Sequence, residues 1–356
     1  MKVLVAMSGG VDSSVAAAEL IAQGHEVVGV TMRLWGGESD TGCCSVSDVD
    51  DARRVAQQLG IDHLVFNFSD DFDAKVVNPY VSAHVDGLTP NPCIECNRHL
   101  KFDRLSERAR VLGFDAVATG HHARIEPDDD GLLRVTRGAD EAKDQSYVVH
   151  MLDERELGYT LFPVGGMTKA DVRERATQLG LRTAAKPDSQ DVCFISKTGG
   201  REQFLGKRIE FRSAPVVDAD GNETGRVEAV ELVTIGQRKG LGLAGGSPKQ
   251  YVVDVDPRVP LVRVGDEREL LCDSFEMVNV VWAHRRDIER LSRVGDVLVQ
   301  SSAHGEAKPA VAVPLENGRV AVRWLEAQRR IAPGQSVVLY DVTNTWVIAG
   351  GIACAD

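Results

Sequence analysis

The sequence predicts an N-terminal α/β domain with a parallel sheet, followed by two small β domains of barrel-like form. Over roughly the first 190 residues, short apolar runs alternate with helical patterns, which is typical of a doubly wound sheet. Beyond about residue 205, short alternating runs are separated by glycine, proline, asparagine and aspartate, which is typical of all-β structure. The 356 residues are long enough for two or three domains.

Hydrophobic periods predict the elements of the α/β domain. Strands are predicted at KVLVAM, HEVVGVTMRL, HLVFNF and AVATG, and helices at 12–22, 47–59 and 97–112. The dipeptide Leu-Gly recurs where helices are predicted to stop, because glycine readily adopts the left-handed conformation of a helix end. Ligands of such sheets bind at the carboxyl ends of the strands, so the loops there are the first candidates for function.

We predict domain boundaries that divide the chain into 1–205, 206–274 and 275–356. Within the β half, DADGNETG is predicted to form a hairpin turn, and RLSRVGDVL near 291–298 is predicted to be a boundary loop. EPDDDG, in the α/β domain, is predicted to be the tip of another hairpin.

Composition and charge narrow the classes of function. The net charge of −12 argues against a protein that coats nucleic acid indiscriminately, although basic residues between 182 and 212 offer a local face for an RNA backbone. The apolar start of the chain is too short for a signal peptide or a membrane span, which predicts a cytoplasmic protein without membrane contact. Seven cysteines in a reducing compartment favour metal or redox chemistry over structural disulfides.

The stretch SGGVDSS lies where the first strand turns into the first helix. Gly9 and Gly10 allow close approach of a ligand, and the N–H groups that open the helix favour an anion. The hydroxyls of Ser8, Ser13 and Ser14 add hydrogen-bond donors, and the Asp12 carboxylate is a ligand for Mg²⁺. The lysine of a Walker A loop is absent, so the stretch suits a pyrophosphate that leaves as one unit.

Two further stretches carry cysteines in polar surroundings. TPNPCIECNRHLKF places Cys93 and Cys96 at the start of a helix beside several cations, and both features raise the thiolate fraction. KPDSQDVCFI places Cys193 just before an apolar run. A structural zinc site is the alternative explanation of the CxxC pair, but such a site needs four ligands and the chain has no second CxxC.

SGGVDSS resembles the PP-loop of the ATP pyrophosphatases, whose fold is the adenine nucleotide alpha hydrolase-like domain. Together with the two cysteine stretches and with TGHHAR, KDQSYVV and TIGQRKGL, it makes nearly the whole chain resemble the tRNA-specific 2-thiouridylase family. The resemblance implies a sulfurtransferase that adenylates the C2 oxygen of the wobble uridine, at tRNA position 34. It then replaces this oxygen with sulfur and yields 2-thiouridine, AMP and pyrophosphate.

The resemblance also implies the roles of individual residues. Cys96 would be the nucleophile and Cys193 the persulfide carrier, and the two would form a transient disulfide. The implied ATP-binding residues are Ala6, Met7, Ser8, Gly9, Gly10, Val11, Asp12, Ser13, Met32 and Gly120. The implied tRNA contacts are Asn91, Pro92 and Cys93 at the target base, with His121, Lys143, Asp144, Gln145 and Gln335 elsewhere. Mg²⁺ would be held through ATP at Asp12, and a persulfide-donating relay protein or a cysteine desulfurase would be the partner.

Some points stay open at the level of the sequence. Many relatives carry aspartate where this chain has Cys93, so Cys93, Cys96 and Cys193 together could hold a [4Fe–4S] cluster instead of a persulfide. The family's arginine-tyrosine-arginine contact for tRNA is replaced by residues 300–304, and Cys43 and Cys44 have no assigned role. The alternative functions are another PP-loop adenylating transferase, acting on a small molecule, and a non-catalytic RNA-binding protein with a zinc knuckle.

Overall fold

The computed structural model describes residues 1–34, 46–188, 192–196, 199–243 and 249–354, apart from the side chains of Val46, Cys193 and Ser196. Cys43 and Cys44 lie outside the described residues. The strands of the N-terminal part are β1 (Lys2–Ala6), β2 (Glu26–Arg33), β3 (His63–Asn67), β4 (Ala116–Ala118), β5 (Ala123–Pro127), β6 (Leu133–Arg137) and β7 (Thr160–Leu161). Its helices are α1 (Val11–Ala22), α2 (Val46–Leu59), α3 (Ser69–Phe72), α4 (Asn78–Val85), α5 (Pro92–Cys96), α6 (Leu105–Val111), α7 (Glu154–Leu157), α8 (Lys169–Gln178), α9 (Cys193–Ser196) and α10 (Arg201–Gly206).

The central sheet is parallel and has the strand order β3-β2-β1-β4-β7, which confirms the predicted α/β class. The chain winds outward from β1 to β3 and then returns to place β4 on the other side of β1. The order in which the chain adds strands reverses between β1 and β4. At such a point a crevice opens at the carboxyl ends of the two strands. The loop that contains SGGVDSS leaves β1 at this crevice, and Gly120 follows β4 there.

Alternating side chains of β1 face two separate apolar clusters. Val3 and Val5 pack with α1, α2 and α8, whereas Leu4 and Ala6 pack with the aromatic layer on the opposite face. Because successive strand residues point to opposite faces, a buried strand with helices on both sides must be apolar at every position. This requirement explains the unbroken run KVLVA.

The helix that carries the CxxC pair begins earlier than the sequence predicted. The structure starts it at Pro92 instead of Asn97, and it passes through a π-helical stretch (Asn97–Arg104) before α6. The Asn91 side chain accepts hydrogen bonds from the backbone N–H groups of Cys93 (3.0 Å) and Ile94 (3.4 Å). Asparagine at the cap and proline in the first turn form this helix start, which agrees with the prediction that Cys93 and Cys96 open a helix and corrects the predicted range 97–112.

Short strands make up the C-terminal half, as predicted. One sheet has the order β10-β11-β8-β9, and six further strands close into a barrel. Both predicted hairpins are confirmed, since β5 pairs with β6 and β8 with β9, each antiparallel. The strands are β8 (Ala214–Val217), β9 (Glu223–Val227), β10 (Tyr251–Asp256), β11 (Leu261–Gly265), β12 (Leu271–Trp282), β13 (Asp296–Gln300), β14 (Lys308–Pro314), β15 (Val320–Arg329), β16 (Ser336–Tyr340) and β17 (Val347–Ala353).

The predicted boundary loop near 291–298 was wrong. A helix, α11 (Arg286–Val294), occupies this position inside the barrel domain, and Gly295 ends it in the left-handed conformation before β13 begins. Asp287 and Leu291 lie one helical turn apart, and both are buried. Because most other residues of the stretch are charged, the sequence shows no clear helical period of apolar residues. Within the described residues, no helix has the length and apolar character needed to cross a membrane.

A buried ion pair joins the α/β domain to the barrel. Arg134, on β6, is 2% exposed and donates hydrogen bonds to both carboxylate oxygens of Asp287 on α11. The same guanidinium contacts Asp128, in the turn of its own hairpin. Nearby, the Arg137 guanidinium lies 3.6 Å from the ring centre of Tyr340 and donates to the side chain of Gln300. These contacts fix the barrel against the hairpin that follows β4.

Substitution Arg134→Met is predicted to weaken this interface strongly. It leaves the Asp287 carboxylate buried without its cation, which costs about 3–5 kcal/mol when one partner of a buried pair is removed. The measurement is the free energy of the first unfolding transition in urea. The control Arg293→Met removes an exposed arginine from α11, the helix that carries Asp287. This control should change the free energy of unfolding by less than about 0.5 kcal/mol. A loss below about 1 kcal/mol for Arg134→Met would contradict this role.

Candidate active site

The loop between β1 and α1 is shaped by a close contact with α2. Gly9 has φ +72°, and a Cβ atom there would lie 2.5 Å from the backbone oxygen of Asp48. The Ser13 hydroxyl accepts from the Ser8 N–H at 3.2 Å and donates to the Gly10 carbonyl. Ser14 is fully buried and also donates to the Gly10 carbonyl, at 2.8 Å, so its hydroxyl holds the loop. The N–H groups of the first turn of α1 are therefore presented at the crevice.

Asp12 is the charged centre of this loop. The Lys169 ammonium lies 2.7 Å from both carboxylate oxygens, and His122 Nε2 lies 3.0 Å from one of them. Burial alone would raise the pKa of Asp12, but hydrogen bonds from His122 and Lys169 and the charge of Lys169 lower it below its usual value. The carboxylate is therefore ionised across the physiological range, as a cation ligand must be.

Two lysines from outside the loop supply the cations that SGGVDSS lacks. Lys169 is the first residue of α8, and Lys186 donates to the Gly9 carbonyl and to Asp48 and Asp51, each at 2.9 Å. No local motif of the sequence marks Lys169 as a site residue. Lys169 follows β7, a strand of only two residues beside β4. A sequence signal for this fifth strand would have placed Lys169 at the crevice, because the crevice lies at the carboxyl ends of the strands.

The two residues predicted to lie at the adenosine are at further strand ends. Met32 is the penultimate residue of β2 and is buried in the aromatic layer. Gly120 follows β4, and a Cβ atom there would lie 2.6 Å from the backbone nitrogen of Ser13. The absence of a side chain at Gly120 therefore allows the end of β4 to touch the first turn of α1.

The structure brings the CxxC helix and the start of α9 together. The N–H of Val192 donates to Cys93 Sγ at 3.3 Å, and Val192 has a positive φ of 52°. Phe194 and Ile195 belong to the same apolar cluster against which Cys96 packs, and this cluster also contains Ala6 at the end of β1. The backbone of Cys193 lies between Val192 and Phe194, whereas its side chain is outside the described part of the structure.

The side chains of KDQS mostly contact other protein groups. Lys143 pairs with Asp188 at 3.0 Å, and Asp144 accepts hydrogen bonds from Arg137 and from the backbone of Gly138 and Ser146. Gln145 Oε1 accepts from the backbone N–H of His122 at 2.8 Å. Gln145 thus supports the strand end that carries His122, and Asp144 supports the end of β6. The tRNA contacts of Lys143, Asp144 and Gln145 stay predictions.

Two other predicted tRNA contacts have different surroundings. His121 is 7% exposed, and its ring packs against the rings of Phe102 and Phe162. Burial lowers the pKa of His121 far below its usual value. Gln335 lies in the turn before β16, and the neighbouring Pro333 carbonyl accepts from the N–H of Thr89 at 2.7 Å. The C-terminal barrel therefore touches the loop that leads into the CxxC helix.

Three of the basic residues between 182 and 212 pair with carboxylates of the protein. Arg182 and Lys186 pair with Asp51, and Arg212 pairs with Glu231. Among the described side chains, no three histidine, cysteine, aspartate or glutamate residues are grouped to hold a metal. The side chain of Cys193 is not among those described, so the three-cysteine cluster stays a hypothesis.

Three family models match consecutive parts of the chain. They are described as the tRNA methyl transferase HUP domain over residues 1–197, the tRNA methyl transferase PRC-barrel domain over 202–266 and the aminomethyltransferase beta-barrel domain over 272–353. These matches agree with a parallel α/β domain followed by two β domains.

Relatives named tRNA-specific 2-thiouridylase MnmA match almost the entire chain. The relative from Mycobacteroides abscessus is 47% identical, with 100% of each chain covered. Relatives from Chloroflexus aurantiacus and Heliobacterium modesticaldum are each 44% identical over 98% of this chain, and the match covers 97% and 91% of their own lengths. With this identity over matched lengths, the chain belongs to the tRNA-specific 2-thiouridylase family.

Proposed function

We propose that this protein is a cytoplasmic sulfurtransferase that converts the wobble uridine of tRNA, at position 34, to 2-thiouridine with ATP. The observation that carries the proposal is the contact between the CxxC helix and the segment that opens α9, at the same edge of the sheet as the SGGVDSS loop. The reaction needs a nucleotide site and a sulfur site within reach of one base. The names of the relatives support the substrate and the product.

The first step is adenylation of the uridine. ATP would lie along Ala6 to Ser13, with Met32 and Gly120 at the adenosine. The uridine C2 oxygen forms a bond to the α-phosphorus, the bond from this phosphorus to the bridging oxygen breaks, and pyrophosphate leaves with the electron pair. Mg²⁺ fits the ionised and partly exposed Asp12 carboxylate, and when bound it neutralises phosphate charge.

The second step transfers sulfur. The Cys96 thiolate attacks the sulfur that is bound to Cys193 carbon, so a Cys96–Cys193 disulfide forms and hydrosulfide is released. Hydrosulfide adds at C2, and AMP leaves with the former uridine oxygen. A thiol reductant then supplies two electrons to reopen the disulfide. Cys96 lies one helical turn after the start of the CxxC helix at Pro92.

Two partners complete the proposal. The tRNA would contact Asn91, Pro92 and Cys93 with its target base, and His121, Lys143, Asp144, Gln145 and Gln335 at other points. The contact of the barrel turn with Thr89 supports a tRNA site that is shared between the domains. A persulfide-donating relay protein or a cysteine desulfurase would reload Cys193.

Substitution of either sulfur-bearing residue is predicted to abolish thiolation. Cys96→Ser and Cys193→Ser should each reduce 2-thiouridine formation by roughly 10³-fold or more, as expected for loss of a covalent participant. Both variants should still release one pyrophosphate per tRNA, because adenylation precedes sulfur transfer. The control Cys354→Ser, at the end of the barrel, should retain full activity. Thiolation by either variant at the wild-type rate would refute the assignment.

Substitution Asp12→Asn is predicted to slow the first step instead. Loss of the ionised oxygen ligand should lower the rate of tRNA-dependent pyrophosphate release by about 10²–10³-fold at fixed Mg²⁺. Glu19→Gln removes a carboxylate from the same helix, away from the loop, and is the matched control. An unchanged rate in Asp12→Asn would show that this carboxylate does not serve the nucleotide.

The persulfide and the iron–sulfur alternatives make different predictions for Cys93. The persulfide route uses two cysteines, so anaerobically purified protein should be active without stoichiometric iron or labile sulfide, and Cys93→Asp should remain active. Iron, labile sulfide and thiolation are to be measured on the same preparation. A cluster whose removal abolishes activity and whose reconstitution restores it would overturn the persulfide route.

A further inference from the structure

The loop that would hold the triphosphate contains no lysine, yet a lysine ammonium lies at its centre. Lys169 Nζ is 2.7 Å from both oxygens of Asp12 and 3.0 Å from Asp188 Oδ1. Its side chain is 13% exposed, so the ammonium is held in place and shielded from bulk water. A cation at this position adjoins the turn of α1 whose N–H groups favour phosphate.

Asp188 gathers further cations around this ammonium. Arg173 donates to Asp188 Oδ1 at 2.6 Å, and Lys143 donates to Oδ2 at 3.0 Å. Partial burial would raise the pKa of Asp188, but hydrogen bonds from Lys143 and Lys169 lower it to about 2. Three cations therefore converge on one ionised carboxylate, which is an arrangement that a multiply charged phosphate group also satisfies.

Lys186 is the other lysine near the loop, and its partners are of a different kind. Its ammonium is bound by the Gly9 carbonyl and by two carboxylates of α2. These contacts hold the backbone of the loop against α2. Loss of the Lys186 ammonium from this position would therefore separate the loop from α2. Lys169 is bound by two side-chain carboxylates, Asp12 of the loop and Asp188 outside it, and Asp188 can turn away when a ligand arrives while Asp12 stays in place.

We propose that Lys169 is a further catalytic residue, whose ammonium binds the departing pyrophosphate, and that Asp188 occupies this pyrophosphate position until nucleotide arrives. The inference rests on the proposed function and deepens it. As the bond between the α-phosphorus and the bridging oxygen breaks, the electron pair goes to the pyrophosphate oxygen. A fixed ammonium stabilises this developing charge without a proton transfer. Lys169 thus takes the role that the internal lysine serves in a Walker A loop.

Binding of inorganic pyrophosphate to the full-length protein, measured by calorimetry with Mg²⁺ present, tests the proposal. Lys169→Met should weaken pyrophosphate binding by at least about tenfold, and Lys169→Arg should restore it to within about threefold of wild type. Binding of AMP should change by less than about twofold in both variants. The helix start is preserved in each variant, because the backbone N–H of residue 169 bonds Asp140 and Thr168 caps α8.

Two further variants complete the test. One is a control that should leave pyrophosphate binding unchanged, and the other should tighten it. Arg175→Met removes a cation from the same helix that pairs with Glu19 of α1, and it should leave pyrophosphate binding unchanged. Asp188→Asn removes the competing carboxylate, so it should tighten pyrophosphate binding by about threefold or more.

Pyrophosphate binding of Lys169→Met at the wild-type affinity would overturn the role of Lys169. Unchanged or weaker binding by Asp188→Asn would overturn the role of Asp188. Failure of this inference is separable from failure of the proposed function, because thiolation of tRNA by the wild-type protein is measured independently. A wild type that thiolates tRNA, beside a Lys169→Met variant with normal pyrophosphate affinity, would refute this inference alone.

Discussion

The carboxylate of Asp12 is the interaction on which the site depends. It lies in the first turn of α1 and is bound from one side by His122, which follows β4, and from the other by Lys169, which opens α8 after β7. Three strand ends of the sheet are thereby tied to one charged group. Lys169 extends the connection to Asp188, which lies five residues before Cys193 in the chain, so the SGGVDSS loop and Asp188 belong to one ionic network.

The C-terminal barrel packs against the cysteine side of this arrangement. Asn97, directly after Cys96, donates to the Val148 carbonyl at 2.7 Å, and Tyr147 of the same segment donates to the Ser336 carbonyl of the barrel. The barrel turn also binds the backbone of Thr89. The buried pair of Arg134 with Asp287 also joins the barrel to the α/β domain, although it lies outside the site.

Most of the fold could be predicted from the sequence, and the reasons are physical. KVLVA and SGGVDSS carry strong local signals, a buried strand followed by a glycine turn, and the alternation of periods fixes the sheet class. The site was only partly predictable. Lys169 and His122 reach Asp12 through tertiary structure, and β7 is too short to give a periodic signal. The charged surface of α11 concealed its two buried positions, and Asp144 proved to be bound within the protein.

In the proposed reaction the uridine oxygen becomes part of the leaving AMP, and isotope transfer measures this directly. A tRNA labelled with ¹⁸O at C2 of uridine 34 is to be thiolated with ATP, and the AMP and pyrophosphate are to be analysed by mass spectrometry. We predict that one ¹⁸O atom appears in the phosphate of AMP for each 2-thiouridine formed. Recovery of the label in pyrophosphate or in water, with unlabelled AMP, would contradict the account.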